Sequence, residues 1–201
     1  MTRQSAMNAA TAYFDRGDFL NDLAGLVAFE TESQNPAQAQ ELHRYLAQAM
    51  IPRLTALGFS CSIHDNPAAG GGPLLIGERI EGDDLPTVLS YGHGDVIRAQ
   101  TDQWREGLHP FSLVQEGDRI YGRGSADNKG QHLINIAALE AVLATRGTLG
   151  FNLRIVIEMS EETGSPGLAD FFRAQRDRLA ADVLIASDGP RLQPDRATMF
   201  M

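Results

Sequence analysis

The stretch RIVIEMSEETGSPG, residues 154–167, places two adjacent acids directly after an apolar run. Residues 151–159 have the composition of a buried β-strand, and Glu161 and Glu162 follow its end. In an open α/β sheet, ligands bind beyond the carboxyl ends of the strands. The two glutamates are therefore either a solvated turn or part of a site at the edge of a sheet.

Strand-like and helix-like patterns alternate on both sides of this stretch. Strands are predicted at 60–63, 74–80, 87–91, 151–159, 182–186 and 197–201. Amphipathic helices are predicted from Asp18, across 38–57 and from Gly130 to about Ala144, so that two helices precede the first strand. Ser165 and Pro166 have the pattern of a helix N-terminus. This alternation predicts a layered α/β domain with a largely parallel sheet.

Composition excludes several classes of partner. The 201 residues carry 17 basic and 26 acidic side chains, a net charge of -9, which argues against nucleic acid or an anionic membrane surface. The sequence shows no signal peptide and no apolar run long enough to span a membrane, so we expect no membrane partner and a cytoplasmic location. The single cysteine, Cys61, cannot form an internal disulfide and is expected to be a packed thiol.

Side chains that can bind metals follow four of the predicted strands or the loops after them. They are His93 and Asp95 in SYGHGDVI, Asp127 in GRGSADNKG, Glu161 and Glu162 in EMSEETG, and Asp188 in LIASDGP. Each has an ordinary alternative, since a histidine beside glycines is often hydrogen-bonded at the surface, Asp127 could cap a helix, and the other acids could lie in turns. In a mainly parallel sheet, however, all of them meet at one edge, where carboxylates without a cation would repel one another.

These side chains form a ligand set of one imidazole and several carboxylates. Such a set suits Zn²⁺, Mn²⁺ or Co²⁺, and a carboxylate can bridge two such ions. Asp95, two residues after His93, is placed to accept the other ring N–H of the histidine. The chemistry of the residues alone does not decide which of Glu161 and Glu162 would bind metal and which would act as a base.

The order HGD, YGRGSADNKG, EE followed by TGS, and SD resembles the M20 family of zinc metallopeptidases along nearly the whole chain. The resemblance implies a three-layer α/β/α sandwich with a mostly parallel mixed sheet, and a cis peptide after Asp127. It also implies a role for each residue of the site: His93 and Asp188 bind the first metal, Asp95 orients His93, Asp127 bridges both metals, Glu162 binds the second, and Glu161 is the general base.

The function implied by the resemblance is metal-dependent hydrolysis of an amide bond in a short peptide. A hydroxide bridging two Zn²⁺ ions, or Co²⁺ or Mn²⁺ in their place, would attack the carbonyl while Glu161 handles the proton. An aspartate at the position of Asp188 favours a dipeptidase or carboxypeptidase. The alternative is an N-acyl amino acid amidohydrolase of the deacylase or desuccinylase type.

The resemblance further implies that residues 1–201 are the N-terminal portion of the catalytic domain. A lid domain that mediates homodimer contacts, and a C-terminal part that supplies the remaining metal-binding histidine, are expected outside this sequence. The other four histidines are not expected to replace that ligand; they are His43, His64, His109 and His132. A catalytically inactive metal-binding fragment is therefore a further alternative. A nucleotide-binding domain is excluded because none of the glycine clusters joins a strand to a helix in the required way.

Overall fold

The computed structural model describes residues 2–189, 192, 193, 195, 196, 198 and 199. The strands are β1 (Ser60–His64), β2 (Leu74–Arg79), β3 (Thr87–His93), β4 (Val114–Glu116), β5 (Arg119–Tyr121), β6 (Asn152–Glu158) and β7 (Val183–Ala186). The strand predicted for 197–201 lies mostly outside the described residues.

A five-stranded sheet with the order β1-β2-β6-β3-β7 forms the centre of the described residues. β3 pairs in parallel with β6 and β7, whereas β2 is antiparallel to both of its neighbours. Four strands therefore run in one direction and β2 alone runs against them, which confirms the mostly parallel sheet. β4 and β5 form a separate antiparallel hairpin, which is not among the predicted strands.

Helices cover both faces of the sheet. They are α1 (Arg3–Asp15), α2 (Asp18–Val27), α3 (Ala39–Arg44), α4 (Ile51–Ala56), α5 (Lys129–Arg146), α6 (Leu168–Ala174) and α7 (Arg176–Leu179), with a π-helical segment, Tyr45–Met50, joining α3 to α4. None of the helices in the described part of the chain has the length and apolar character needed to cross a membrane.

Alternating residues of the strands divide the core into two clusters. On one face, Leu75 and Ile157 pack in a cluster with residues of α2, α3, α4 and α5. On the other face, Ile76 and Val156 pack with Phe171 of α6 and Leu179 of α7. The two clusters confirm the three-layer α/β/α sandwich.

Two local predictions differ from the structure. The structure adds α1 before the two predicted N-terminal helices. None of the residues of α1 is buried, so the helix lacks the core-facing apolar side by which periodicity identifies a helix. The prediction that Ser165 and Pro166 begin a helix is wrong, because α6 begins at Leu168 after Gly167, whose φ is 76°. Ser165 itself has a φ of 50° and donates its hydroxyl hydrogen bond to the Glu158 carboxylate instead of capping the helix.

The register of the parallel strands aligns their carboxyl ends. His93 at the end of β3 lies opposite Glu158 at the end of β6, and Tyr91 lies opposite Ala186 at the end of β7. The loops that leave these strands therefore start at the same edge of the sheet.

Candidate metal centre

His93 is the central residue of this edge. Its side chain is fully buried, and its Nε2 atom lies 3.0 Å from Asp127 Oδ1, 3.8 Å from Glu161 Oε2 and 3.9 Å from Asp188 Oδ1. One ligand atom from each of His93, Glu161 and Asp188 lies within 4.8 Å of the other two. Residues from the ends of three strands and from the loop before α5 thus converge on one ring nitrogen.

Asp95 lies on the other side of the imidazole ring. Its Oδ1 atom is 3.3 Å from His93 Nδ1, and its backbone carbonyl oxygen is 3.1 Å from the same nitrogen. The two carboxylate oxygens also accept the backbone N–H groups of Glu161 and Glu162, each at 3.2 Å. Asp95 therefore connects the histidine to the short 3₁₀ turn, Glu161–Thr163, that carries both glutamates.

Asp127 does not cap α5. The residue at the N-cap position is Asn128, which makes no side-chain capping hydrogen bond, and the side chain of Asp127 is directed toward His93 instead. The peptide bond between Asp127 and Asn128 is cis, as the resemblance implies.

The charges at the site favour a cation. Burial by itself would lower the pKa of His93, but hydrogen bonds to Asp127 and Asp95, with the negative charges of Asp95 and Asp188, raise the pKa to about 10. Burial raises the pKa of Glu161 and of Glu162, and the charge of Asp127 adds to the shift of Glu162. Several carboxylates thus surround one imidazole with an excess of negative charge.

The donor atoms fit a divalent metal. An imidazole nitrogen and carboxylate oxygens within coordination reach of one another are the ligands that Zn²⁺, Mn²⁺ and Co²⁺ take in proteins. In the part of the chain that the structure describes, His93, Glu161 and Asp188 form a group of such side chains close enough together to hold an ion. Asp127 and Glu162, which the resemblance makes metal ligands, lie outside this group, whereas Glu161, which it makes the base, lies within it. The other four histidines also lie outside it.

Two buried polar residues beside the cluster, Glu158 and Asn128, are not among the predicted site residues. Glu158 accepts hydrogen bonds from the hydroxyl groups of Tyr91 and Ser165, and Asn128 contacts the backbone of His93. The sequence contains one indication of the role of Glu158, because this residue is the single carboxylate within the apolar run of β6. The function of Asn128 depends on partners that are distant in sequence, and no local pattern marks it.

Together, the three-layer fold and the cluster at its carboxyl edge define an α/β protein with a candidate metal centre. A model of the peptidase family M20/M25/M40 matches residues 89–199, which is more than half of the chain. The chain therefore belongs to this family of peptidases, and hence to a family of hydrolases.

Known proteins similar to this chain are considerably longer. A cysteinylglycine-S-conjugate dipeptidase from Corynebacterium striatum is 32% identical over 177 residues, which are 87% of this chain and 38% of that protein. The crystal structure of human carnosine dipeptidase 1 superposes with a TM-score of 0.82 at 29% identity, covering 92% of this chain and 41% of that one. An acetylornithine deacetylase from Pasteurella multocida is 28% identical, covering 89% of this chain and 45% of that protein. The chain spans about two fifths of the length of such relatives.

Proposed function

We propose that this chain supplies the metal-binding part of a dipeptidase that hydrolyses the amide bond of short peptides. The observation that carries the proposal is the convergence of Asp127, Glu161 and Asp188 on the Nε2 atom of His93. Membership of a peptidase family and the similarity to proteins named as dipeptidases support it.

The sequence resemblance supports a division of roles within the cluster. His93, Asp127 and Asp188 would hold one metal ion. Asp127 would be shared with a second ion that Glu162 also binds, and Asp127 is the nearby charge with the largest effect on the pKa of Glu162. When bound, Zn²⁺ or a similar ion supplies a Lewis acid that polarises a carbonyl and lowers the pKa of water. The remaining steps belong to the side chains of the protein.

Glu161 is the proposed general base. Its Oε2 atom lies 3.8 Å from His93 Nε2, so the carboxylate would lie beside an ion held by that nitrogen. Burial raises its pKa, which moves it toward the range in which a carboxylate exchanges protons near neutral pH. Glu161 would take a proton from the attacking water and deliver it to the nitrogen of the leaving amine. Asp95 would hold Glu161 in place through the backbone N–H.

The second candidate is an N-acyl amino acid amidohydrolase, favoured by the similarity to acetylornithine deacetylase. Both reactions cleave an amide at the same kind of centre, so the substrate distinguishes them. We also propose, from the sequence resemblance, that residues 1–201 are the N-terminal portion of a catalytic domain within a longer cytoplasmic homodimer. In that protein a histidine outside this chain would complete the second metal site.

The test is hydrolysis of Cys-Gly, β-Ala-His and N-acetylornithine by the natural protein loaded with Zn²⁺ or Mn²⁺. We expect the dipeptides to be cleaved faster than N-acetylornithine. The Glu161→Gln variant should lose about 10²–10⁴-fold in kcat, because general acid–base catalysis contributes on that scale. It should keep its metal, measured by elemental analysis. Glu106→Gln, which changes an exposed acid outside the cluster, is the matched control.

Three results would change the proposal. Full activity in Glu161→Gln would remove that residue from the mechanism. Faster cleavage of N-acetylornithine would assign the protein to the deacylases. Metal binding that depends on His93, without hydrolysis of any of these amides, would instead support a non-catalytic metal-binding protein.

A further inference from the structure

Asn128 is a fully buried residue that contacts the two segments carrying His93 and Asp188 of the candidate centre. Its Oδ1 atom accepts the backbone N–H of His93 at 3.3 Å. Its Nδ2 atom donates to the backbone carbonyl oxygen of Ser187 at 2.5 Å, directly before Asp188. One amide side chain thus connects the end of β3 to the loop that follows β7.

The partners fix the orientation of this amide. The backbone N–H of His93 can only donate, so it requires the oxygen, and the carbonyl of Ser187 can only accept, so it requires the nitrogen. A flipped amide would place like atoms together at both contacts. The Asn128 amide therefore has a single orientation, and in that orientation it sets the separation of the two backbones.

A second set of side chains fixes the position of the Asn128 amide. His132 Nδ1 lies 3.3 Å from Asn128 Oδ1, and the hydroxyl of Tyr45 contacts His132 Nε2. With the Tyr45 hydroxyl donating to Nε2, the Nδ1–H group of His132 donates to Asn128. Gln131 adds an acceptor, at 2.8 Å from Asn128 Nδ2. Every polar atom of the amide consequently has a partner.

The backbone also makes room for this amide. A Cβ atom on Gly92 would lie 3.0 Å from Asn128 Oδ1 and 3.3 Å from the Cβ of His132. Gly92 directly precedes His93, so the absence of a side chain there lets the amide approach the strand end. A residue with a Cβ at this position would displace Asn128 or the strand.

We propose that Asn128 is a positioning residue that holds His93 and Asp188 at the separation which one metal ion requires. This proposal rests on the proposed metal centre, and it identifies the residue that sets the distance between two of the ligands. Groups that orient metal ligands without touching the metal typically affect affinity 10–100-fold when they are removed. Asn128 acts on two ligands through their backbones, so its removal should change both affinity and coordination geometry.

The experiment compares Co²⁺ binding by the natural wild-type protein and by its Asn128→Leu variant, which keeps the approximate shape and removes both hydrogen bonds. Affinity is measured by competition with a chromophoric chelator, and geometry by the visible d–d absorption of bound Co²⁺. We expect a 10–100-fold loss of affinity and an altered spectrum in Asn128→Leu. Gly92→Ala should change both readouts in the same direction, with Gly25→Ala, where a Cβ meets nothing within 4 Å, as its control.

Asn152→Leu is the matched control for Asn128→Leu. Asn152 is also buried, and its amide bonds to the backbone of Glu81, Gly82 and Leu85 at the opposite end of β6. We expect this variant to lower the melting temperature and leave Co²⁺ affinity unchanged. If Asn128→Leu does not fold, Gly92→Ala decides the question.

Wild-type affinity and spectrum in a folded Asn128→Leu, or an equal loss of affinity in Asn152→Leu, would overturn the positioning role. Failure of the metal centre itself gives a different result. In that case His93→Ala would bind Co²⁺ as the wild-type chain does.

Discussion

Glu158 is a buried carboxylate beside the candidate centre. Burial makes the ionised form of this side chain unfavourable. Its Oε2 atom has no hydrogen-bond partner, while Oε1 accepts from Tyr91 and Ser165. Burial raises its pKa above the ordinary 4.5, although those two hydrogen bonds oppose the shift, and Asp95 and His93 are the other charged groups that act on it. The folded protein thus favours the protonated form of Glu158 more than the unfolded chain does.

A carboxyl whose pKa is raised by folding stabilises the protein at low pH. This contribution is fully present below about pH 4.5 and is lost as the pH rises through the folded-state pKa, at about 1.4 kcal/mol for each unit of difference. In Glu158→Gln the acceptor Oε1 remains but nothing titrates. We therefore expect the free energy of unfolding of the variant to rise relative to wild type as the pH increases from 4.5 to 8.

The measurement is urea unfolding of both proteins in EDTA across that pH range. The comparison uses the slope against pH, because the new NH₂ group adds a cost that does not depend on pH. Glu106→Gln, at an exposed position in the loop before the β4–β5 hairpin, should run parallel to wild type. Parallel curves for Glu158→Gln would contradict the raised pKa.

At the same scale, the sequence identifies the residues of the site whose chemistry is visible in their type. His93, Asp127 and Asp188 carry metal-binding atoms and follow strands, so their convergence could be predicted from a parallel sheet. Asn128 could not be identified in this way, because an amide acquires its role only from the backbones that it joins. Ser187, one of its partners, is 59 residues away in the chain.

At the scale of elements, the strands of the central sheet were the most predictable part. Their apolar runs are bounded by turn residues, and the predicted limits agree with β3 and β6 within two residues. The helix α1 was not predictable from periodicity, because it buries none of its residues in the core. Tertiary contacts also overrode the local signal at Ser165, whose hydroxyl donates to Glu158 in place of capping a helix.

A cluster of polar contacts around Arg53 of α4 explains how α1 is attached. The guanidinium group donates to Tyr13 of α1 at 3.0 Å, to Asp22 of α2 at 2.7 Å and to Glu140 of α5 at 2.8 Å. One side chain therefore holds four helices on the same face of the sheet. Because the guanidinium group is largely buried, water cannot fully replace its hydrogen bonds to these partners if Arg53 is substituted.

We expect Arg53→Met to lower the free energy of unfolding by about 1–3 kcal/mol, since it leaves several partly buried acceptors unpaired. Chemical denaturation measures the loss, and proteolysis within residues 3–15 should become faster as α1 detaches. Arg16→Met is the control, because its ion pair with Asp18 is exposed and should contribute less than about 1 kcal/mol. Equal effects of the two substitutions would show that the cluster does not tether α1.

At the scale of the whole molecule, β7 is an unusual edge. The apolar side chains of Val183, Leu184 and Ile185 are 51%, 63% and 49% exposed, and Ile185 also lines an apolar cavity of about 320 Å³ against α5. In the described residues, β7 pairs with β3 alone, so its other side presents free backbone N–H and C=O groups. An apolar edge strand of this kind is a template for pairing with another chain.

We therefore expect the 201-residue chain to self-associate in a concentration-dependent way, and Leu184→Lys to reduce that association by placing a charge on the edge. Light scattering coupled to size-exclusion chromatography measures the mass at several protein concentrations. Met7→Lys, which changes a similarly exposed apolar residue on α1, should leave the association unchanged because a helix surface offers no free strand pairing. A monomeric wild-type chain at all concentrations would contradict the prediction. Association that persists in Leu184→Lys would place the contact elsewhere on the molecule.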